Sequence, residues 1–324
     1  DGAQYVCYAI ASNGVGGNAC SAASAVTTVA TWRLAAVIVE ERGVIWRSAD
    51  SGASWIEAYA PQASWSSIAS SSDGSKLAAA TFGDRIWRST DSGASWTEAS
   101  SAPQAYWRSI ASSSDGSKLA AVTIRDHLPG GIWRSTDSGT SWTESNAPPQ
   151  ALWQSIASSS DGSKLAAVIF RDRIWRSTDS GASWTEAYAP QADWWSIASS
   201  SDGSKLAAVI KGDRIWRSTD SGASWTEAYV PRANWYSIAS SSDGSKLAAV
   251  VNGGGIWRST DSGASWTEAN TPRANWRSIA SSSDGSKLAA VTNGKRIWRS
   301  TDSGASWTET PAPQAYWISI ASSA

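Results

Sequence analysis

Seven aspartates, Asp50, Asp91, Asp137, Asp179, Asp220, Asp261 and Asp302, stand at the same place in seven copies of one phrase, Ser-x-Asp-x-Gly-x-x-Trp. A carboxylate among serines has the right type for acid–base work. Catalysis, however, needs dissimilar residues converging on one point, and seven like copies supply the opposite. Inside the phrase the carboxylate can accept hydrogen bonds from backbone N–H groups of its own turn, as in an Asx-turn. The glycine permits φ > 0, and the tryptophan can fill space between sheets. The phrase is therefore expected to hold a shape.

Other chemistry-bearing residues are sparse. His127, the only histidine, sits in the insertion "IRDHLPGG", so a histidine-based triad has one possible member. One His and two distant Cys are too few for a zinc site. No metal or cofactor is expected. The acids of the variable loops, Glu40, Glu41, Asp84, Asp126, Asp172, Asp193 and Asp213, contain no distinguished pair, and an arginine-clamped glycosidase motif is missing. Asp172 and Asp213, on adjacent units, are placed to approach each other only by chance. An enzyme is not expected.

The elements that carry these residues follow from the repeat. Successive phrase aspartates are 41, 46, 42, 41, 41 and 41 residues apart, so the chain is one array of seven units. Residues 231–269 show one unit: "WYSIASS", a tight Asp-Gly turn, "KLAAVV", "NGGG", "IWRST", the phrase, then "SWTEA" before a proline-containing linker. Short alternating runs between turn signals predict a four-stranded antiparallel meander, with no helical periodicity. Such a sheet cannot bury both faces alone. Radial stacking into an all-β, seven-bladed β-propeller solves that problem. "SIASS" occurs seven times, but its last copy ends at Ala324 without "DGSKLAA"; the first "LAA", at Leu34–Ala36, lacks a preceding "SIASSSDG". The C-terminal strand is therefore expected to complete the first blade and remove the exposed edges. The segment "AVTTVAT" (25–31) is the rival for that slot.

The phrase resembles the Asp-box, or BNR repeat, found in sialidases, sortilin-type receptors, seven-bladed xyloglucanases and photosystem II assembly factors of the thylakoid lumen. All seven copies match, over residues 32–324. The register from the "SI" strand to "TDSGASW" is most similar to the assembly-factor propellers and their bacterial relatives. The resemblance implies a fold far more than a function, since those families do unrelated things.

Composition narrows the classes further. The 23 Trp supply a core where Phe (2) and Met (0) do not. A net charge of −1 argues against nucleic acid as a partner, and no run of 18 apolar residues predicts membrane insertion. Cys7 and Cys20, both in a Gly/Ser/Ala-rich N-terminal extension (1–31), suggest one disulfide and a secreted or lumenal setting; two free thiols are the alternative.

In a propeller of this kind, the first-to-second and third-to-fourth turns share one face, and here they are nearly invariant among units. The second-to-third loops ("VEERGV", "TFGDR", "TIRDHLPGG", "IFRDR", "IKGDR", "VNGGG", "TNGKR") and the linkers share the other face and differ in every unit. That variable face is the candidate binding face; relaxed drift in loops is the bland alternative. The twenty recurrent acids outnumber the thirteen recurrent bases, leaving the remaining residues at +6, with Arg85, Arg173, Arg214 and Arg296 among them. Beside these come Trp65, Trp107, Trp153, Trp195, Trp235, Trp276 and Trp317 at the entry of each first strand, with Trp194 extra in one blade. The residue after this Trp varies and includes Arg108, Tyr236 and Arg277. Packing between blades is the alternative role for these tryptophans. The recurrent third-strand arginines, Arg47 to Arg299, are expected to pair across the hairpin with Glu57 to Glu309, or to ring a ligand. A protein partner or larger assembly is the leading expectation, and a multivalent lectin binding glycans the second.

Overall fold

A computed structural model describes residues 32–40, 42–124, 130–148 and 151–323. Cys7, Cys20, the 25–31 segment, Glu41, Asp126 and His127 lie outside them. The described residues form twenty-eight β-strands and no helix, so no helix is long and apolar enough to cross a membrane. Every strand pairing is antiparallel, in groups of four. One blade reads Ala233–Ser240, Leu247–Gly254, Ile256–Ser259 and Thr267–Glu268.

Blade 1 contains both ends of the array. Its first strand is Ala315–Ser322, which pairs with Leu34–Ile38 in the register Leu34↔Ser322, Ala35↔Ala321 and Ala36↔Ile320. The closure expected from the split motif is thus present. Blades 2 to 7 follow in chain order.

The seven first strands lie innermost, each against the next, and the cycle returns to its start. A ring of hydrogen bonds marks it. The N–H of Ile110 donates to Ser67 Oγ of the preceding blade, and Ile156, Ile197, Ile238, Ile279, Ile320 and Ile68 repeat the bond with Ser109, Ser155, Ser196, Ser237, Ser278 and Ser319, all at 3.3–3.4 Å. The "S" of each "SI" thereby serves a backbone group that has no partner within its own blade. The core lies between blades. Ala166, Val168 and Ile174 of blade 4, for example, pack against Trp194, Ile197, Leu206 and Ala208 of blade 5. The small "LAA" side chains let neighbouring sheets approach, while Trp and Leu fill the space left by the wedge geometry.

The repeated phrase closes on itself. In blade 2, Asp91 Oδ1 accepts from the Ser95 N–H and the Ser89 hydroxyl, both at 2.8 Å, and Oδ2 accepts from the Ser95 hydroxyl at 2.5 Å. Ser89 Oγ in turn accepts the Gly93 N–H at 2.8 Å. Ser92 and Gly93 carry φ of 59° and 81°. A Cβ on Gly93 would lie 3.1 Å from Leu77 Cδ1. The Ser95 hydroxyl and N–H bonds hold the Asp91 carboxyl near pKa 2.

The recurrent third-strand arginines do not meet their own blade's Glu. Register explains why: Trp87 lies opposite Glu98 and Arg88 opposite Thr97, so Arg and Glu point to different faces of the sheet. Each such arginine instead lays its Cδ against the phrase glycine of the following blade, as Arg88 does at Gly139 and Arg176 at Gly222.

Candidate functional site

Contacts sort the turns onto two faces. Lys76 of a first-to-second turn reaches Ser138 of the neighbouring phrase, so those two kinds of turn share a face. On the opposite face linkers meet second-to-third loops: Gln104 donates to Asp84 at 3.3 Å, Gln191 to Asp172 at 3.3 Å, and Arg232 pairs with Asp213 at 2.9 Å.

The entry tryptophans are not on that variable surface. Trp65, Trp107, Trp153, Trp194, Trp235, Trp276 and Trp317 are all 0% exposed, so none can touch a partner directly. They pack on the tryptophans of the third and fourth strands, as Trp107 does on Trp133 and Trp142. The series includes Trp194 in place of Trp195: Trp194 pairs with Ile210 in the register that Trp235 shares with Val251. Trp195 is the additional one, at the variable position that follows.

That variable position is the useful one. In each first strand the ladder shifts at this residue, as between Trp194 and Ser196, leaving it bulged out of register. Ser66, Arg108, Gln154, Trp195, Tyr236, Arg277 and Ile318 occupy it, all half-buried. Because the first strands ring the axis, these side chains converge at one end of it. Arg108 Nε donates to Gln154 Oε1 at 3.1 Å. The Trp195 and Tyr236 rings are 5.1 Å apart. Arg108 stacks over Trp195 at 5.2 Å, Lys211 Nζ at 4.5 Å, and Arg277 over Tyr236 at 4.7 Å, its Nη1 donating to the phenol oxygen at 2.5 Å. The result is an aromatic pair with three cations against it. Burial pushes the Arg108 pKa down, with Tyr236 opposing that and Arg277 reinforcing it. A guanidinium remains charged under such pressure, so the cluster is short of negative charge.

The loop arginines are otherwise engaged. Arg85 pairs with Glu98 at 3.1 Å and Arg173 with Glu186 at 2.7 Å, while Arg214 pairs with Glu227; Arg296 is exposed. Three of the fourth-strand glutamates, Glu98, Glu186 and Glu227, thus find arginine partners in the loops. Arg232 pairs with Asp213 at 2.9 Å, and Arg171 lies 3.8 Å from Asp193.

Around the axial cluster, the second-strand tails pair with the next blade's first strand, and sequence reading passed over these positions. Phe82 stacks edge-on with Tyr106 at 4.7 Å. Val39, Phe82, Leu152 and Tyr316 are 40–54% exposed, forming an apolar arc over blades 1 to 4. The corresponding positions over blades 5 to 7 carry Asp193, Lys211, Asn234, Asn252, Asn275 and Asn293. The signal available was one residue near the start of each variable loop, Val39, Phe82, Phe170, Lys211, Asn252 and Asn293 among them, which is apolar in some units and polar in others. Among the described residues no group of three His, Cys, Asp or Glu could hold a metal.

No protein-family model matches the chain, and no curated protein does. Solved structures do. A functionally unknown protein from Desulfotomaculum acetoxidans DSM 771 superposes with a TM-score of 0.69 at 16% identity, over 90% of this chain and 98% of that one. YCF48 bound to D1 peptide gives 0.58 at 18%, over 76% and 81%. An ancestral GH74 enzyme gives 0.63 at 15%, over 84% of this chain and 46% of that one. At such identities the likeness establishes the architecture, which a peptide-bound protein and an enzyme share: the chain is a β-propeller.

Proposed function

We propose that this propeller is a non-enzymatic binding scaffold that docks a protein partner on its variable face, in a secreted or lumenal setting. The observation that carries the reading is asymmetry. Seven structurally equivalent axial positions hold Ser66, Arg108, Gln154, Trp195, Tyr236, Arg277 and Ile318, and the surrounding rim is apolar over blades 1 to 4 and polar over blades 5 to 7. A lectin gaining avidity from like pockets would repeat them around the ring. One unlike patch fits one partner surface, with aromatic and arginine anchors at the centre and a polar rim. The cationic centre selects an acidic group on the partner, and the apolar arc a hydrophobic neighbour to it.

Two further points support the reading. A propeller of the same architecture, YCF48, has been solved bound to D1 peptide. The phrase aspartates, seven alike and bonded to their own turns, are occupied structurally, and their depressed pKa runs opposite to what a general acid needs. Residues 1–31 fit an extension to the propeller, with Cys7 and Cys20 as a disulfide pair.

The test is capture from the source compartment by immobilised protein, beside a glycan array. Phe82→Asp should abolish capture, and Arg108→Gln with Arg277→Gln should weaken it, while the array stays silent. Capture lost only on changing the invariant "SSSDGSK" turns would put the partner on the other face, and saturable glycan binding would make the protein a lectin.

A further inference from the structure

The seams between blades are built from repeated residues. Those between blades 2 and 3, 3 and 4, and 4 and 5 leave cavities of about 10 Å³ each, no more than one water. The equivalent seam between blades 1 and 2 encloses about 290 Å³. Its lining departs from the repeat at three places. Arg33 replaces the lysine of Lys76 and Lys118, Ala49 replaces the threonine of Thr90 and Thr136, and Ile56 replaces the threonine of Thr97 and Thr143.

Each departure changes the chemistry. In ordinary seams the lysine ammonium donates to the phrase serine of the following blade, as Lys76 does to Ser138 at 3.2 Å and Lys118 to Ser180 at 3.3 Å, and Lys164 and Lys205 also donate to the Asp202 and Asp243 carbonyls, both at 2.9 Å. Arg33 keeps the serine contact, its Nη1 donating to the Ser92 hydroxyl, but presents a planar guanidinium there in place of an ammonium, and Arg47 brings its own Nη1 to within 3.4 Å of the Ser92 carbonyl. Two guanidinium groups therefore converge on one residue inside the cavity, and among the described residues neither has a carboxylate within ion-pair distance. Arg299, holding the same place at the preceding seam between blades 7 and 1, grips the Ser51 carbonyl at 2.8 Å, so Arg47 is the looser of the two. The other walls are Leu34, Ala35 and Leu77, with Ile56 at the rim, 53% exposed where its counterparts are threonine.

We infer that the seam between blades 1 and 2 is a binding site for a small organic carboxylate, its anion held between Arg33 and Arg47 and its apolar body against Leu34, Leu77 and Ile56. Paired guanidinium donors suit a two-oxygen anion, and a cavity of this size with one charged end and apolar walls has the make-up of a small-ligand pocket. The site lies on the invariant face, apart from the proposed protein-docking surface, so either can fail alone.

Calorimetric titration of the full chain with benzoate, with benzamide and inorganic phosphate as parallel arms, tests it. Benzoate should bind at one site per chain, at least tenfold tighter than either comparator. The double substitution Arg33→Lys with Ala49→Thr restores the repeat residues, so folding is retained, and it should weaken benzoate at least tenfold without lowering the thermal midpoint. Benzoate binding no tighter than benzamide or phosphate, or unchanged in the double variant, overturns the assignment.

Discussion

The guanidinium of Arg108, carried on blade 3, lies 5.2 Å from the ring centre of Trp195, carried on blade 5. The two strands are not neighbours; blade 4 stands between them, and Gln154 of that blade bonds to the same Arg108. Residues 87 positions apart meet because both sit on bulges facing the axis. This juxtaposition turns seven similar units into one unlike patch.

Adjacent tryptophans should behave differently when truncated. Trp194→Ala empties a fully buried inter-blade site and should cost about 3–5 kcal/mol of stability. Trp195→Ala loses half-buried area and two cation–π contacts, about 1 kcal/mol, yet should abolish partner capture. Urea midpoints of the two variants, set beside capture, check both; equal destabilisation would contradict the register.

The central arginines should govern affinity. Replacing both Arg108 and Arg277 by Gln keeps much of the packing and removes the charge. Affinity for the captured partner should fall by about 2 kcal/mol, roughly thirtyfold. Surface-plasmon measurements at two salt concentrations would show the variant also losing most of its salt dependence.

Acid should loosen the phrase. Asp91, Asp179 and Asp302 are held near pKa 2 by the hydroxyl and N–H of the serine four residues on, and Asp73 and Asp115 near 2 by turn serines. These folded-state values lie below the unfolded value of about 3.9. The unfolded chain therefore takes up protons first, and the contribution is complete above about pH 4 and lost as pH falls towards 2. Thermal midpoints should be flat from pH 5 to 8 and drop steeply below 4. Asp91→Asn should be destabilising at pH 7 and nearly silent at pH 2.

Ring closure should be indispensable. Deleting residues 315–324 removes the innermost strand of blade 1, leaving Leu34–Ile38 as an open edge and breaking the ring bonds of Ile320 and Ser319. Size-exclusion chromatography should show aggregation in place of a monomer peak.

What could be read along the chain were the interactions that are local or repeated. The four-strand meander follows from apolar runs and Asp-Gly turns. Closure follows from the half-motif missing at each end, and the role of Asp91 from bonds to a serine four residues away. The partners of Arg88 and Glu98 could not be read in this way, since strand register sends them to opposite faces. Nor could the places of Trp194 and Trp195, where one bulge separates a buried residue from an axial one. By itself the sequence determined seven antiparallel units and how the chain ends join, because hydrogen-bonded turns and strand alternation act over a few residues. Only the tertiary structure decided which variable side chains share a site, because closing the ring brings distant blades to a common axis that no local pattern encodes.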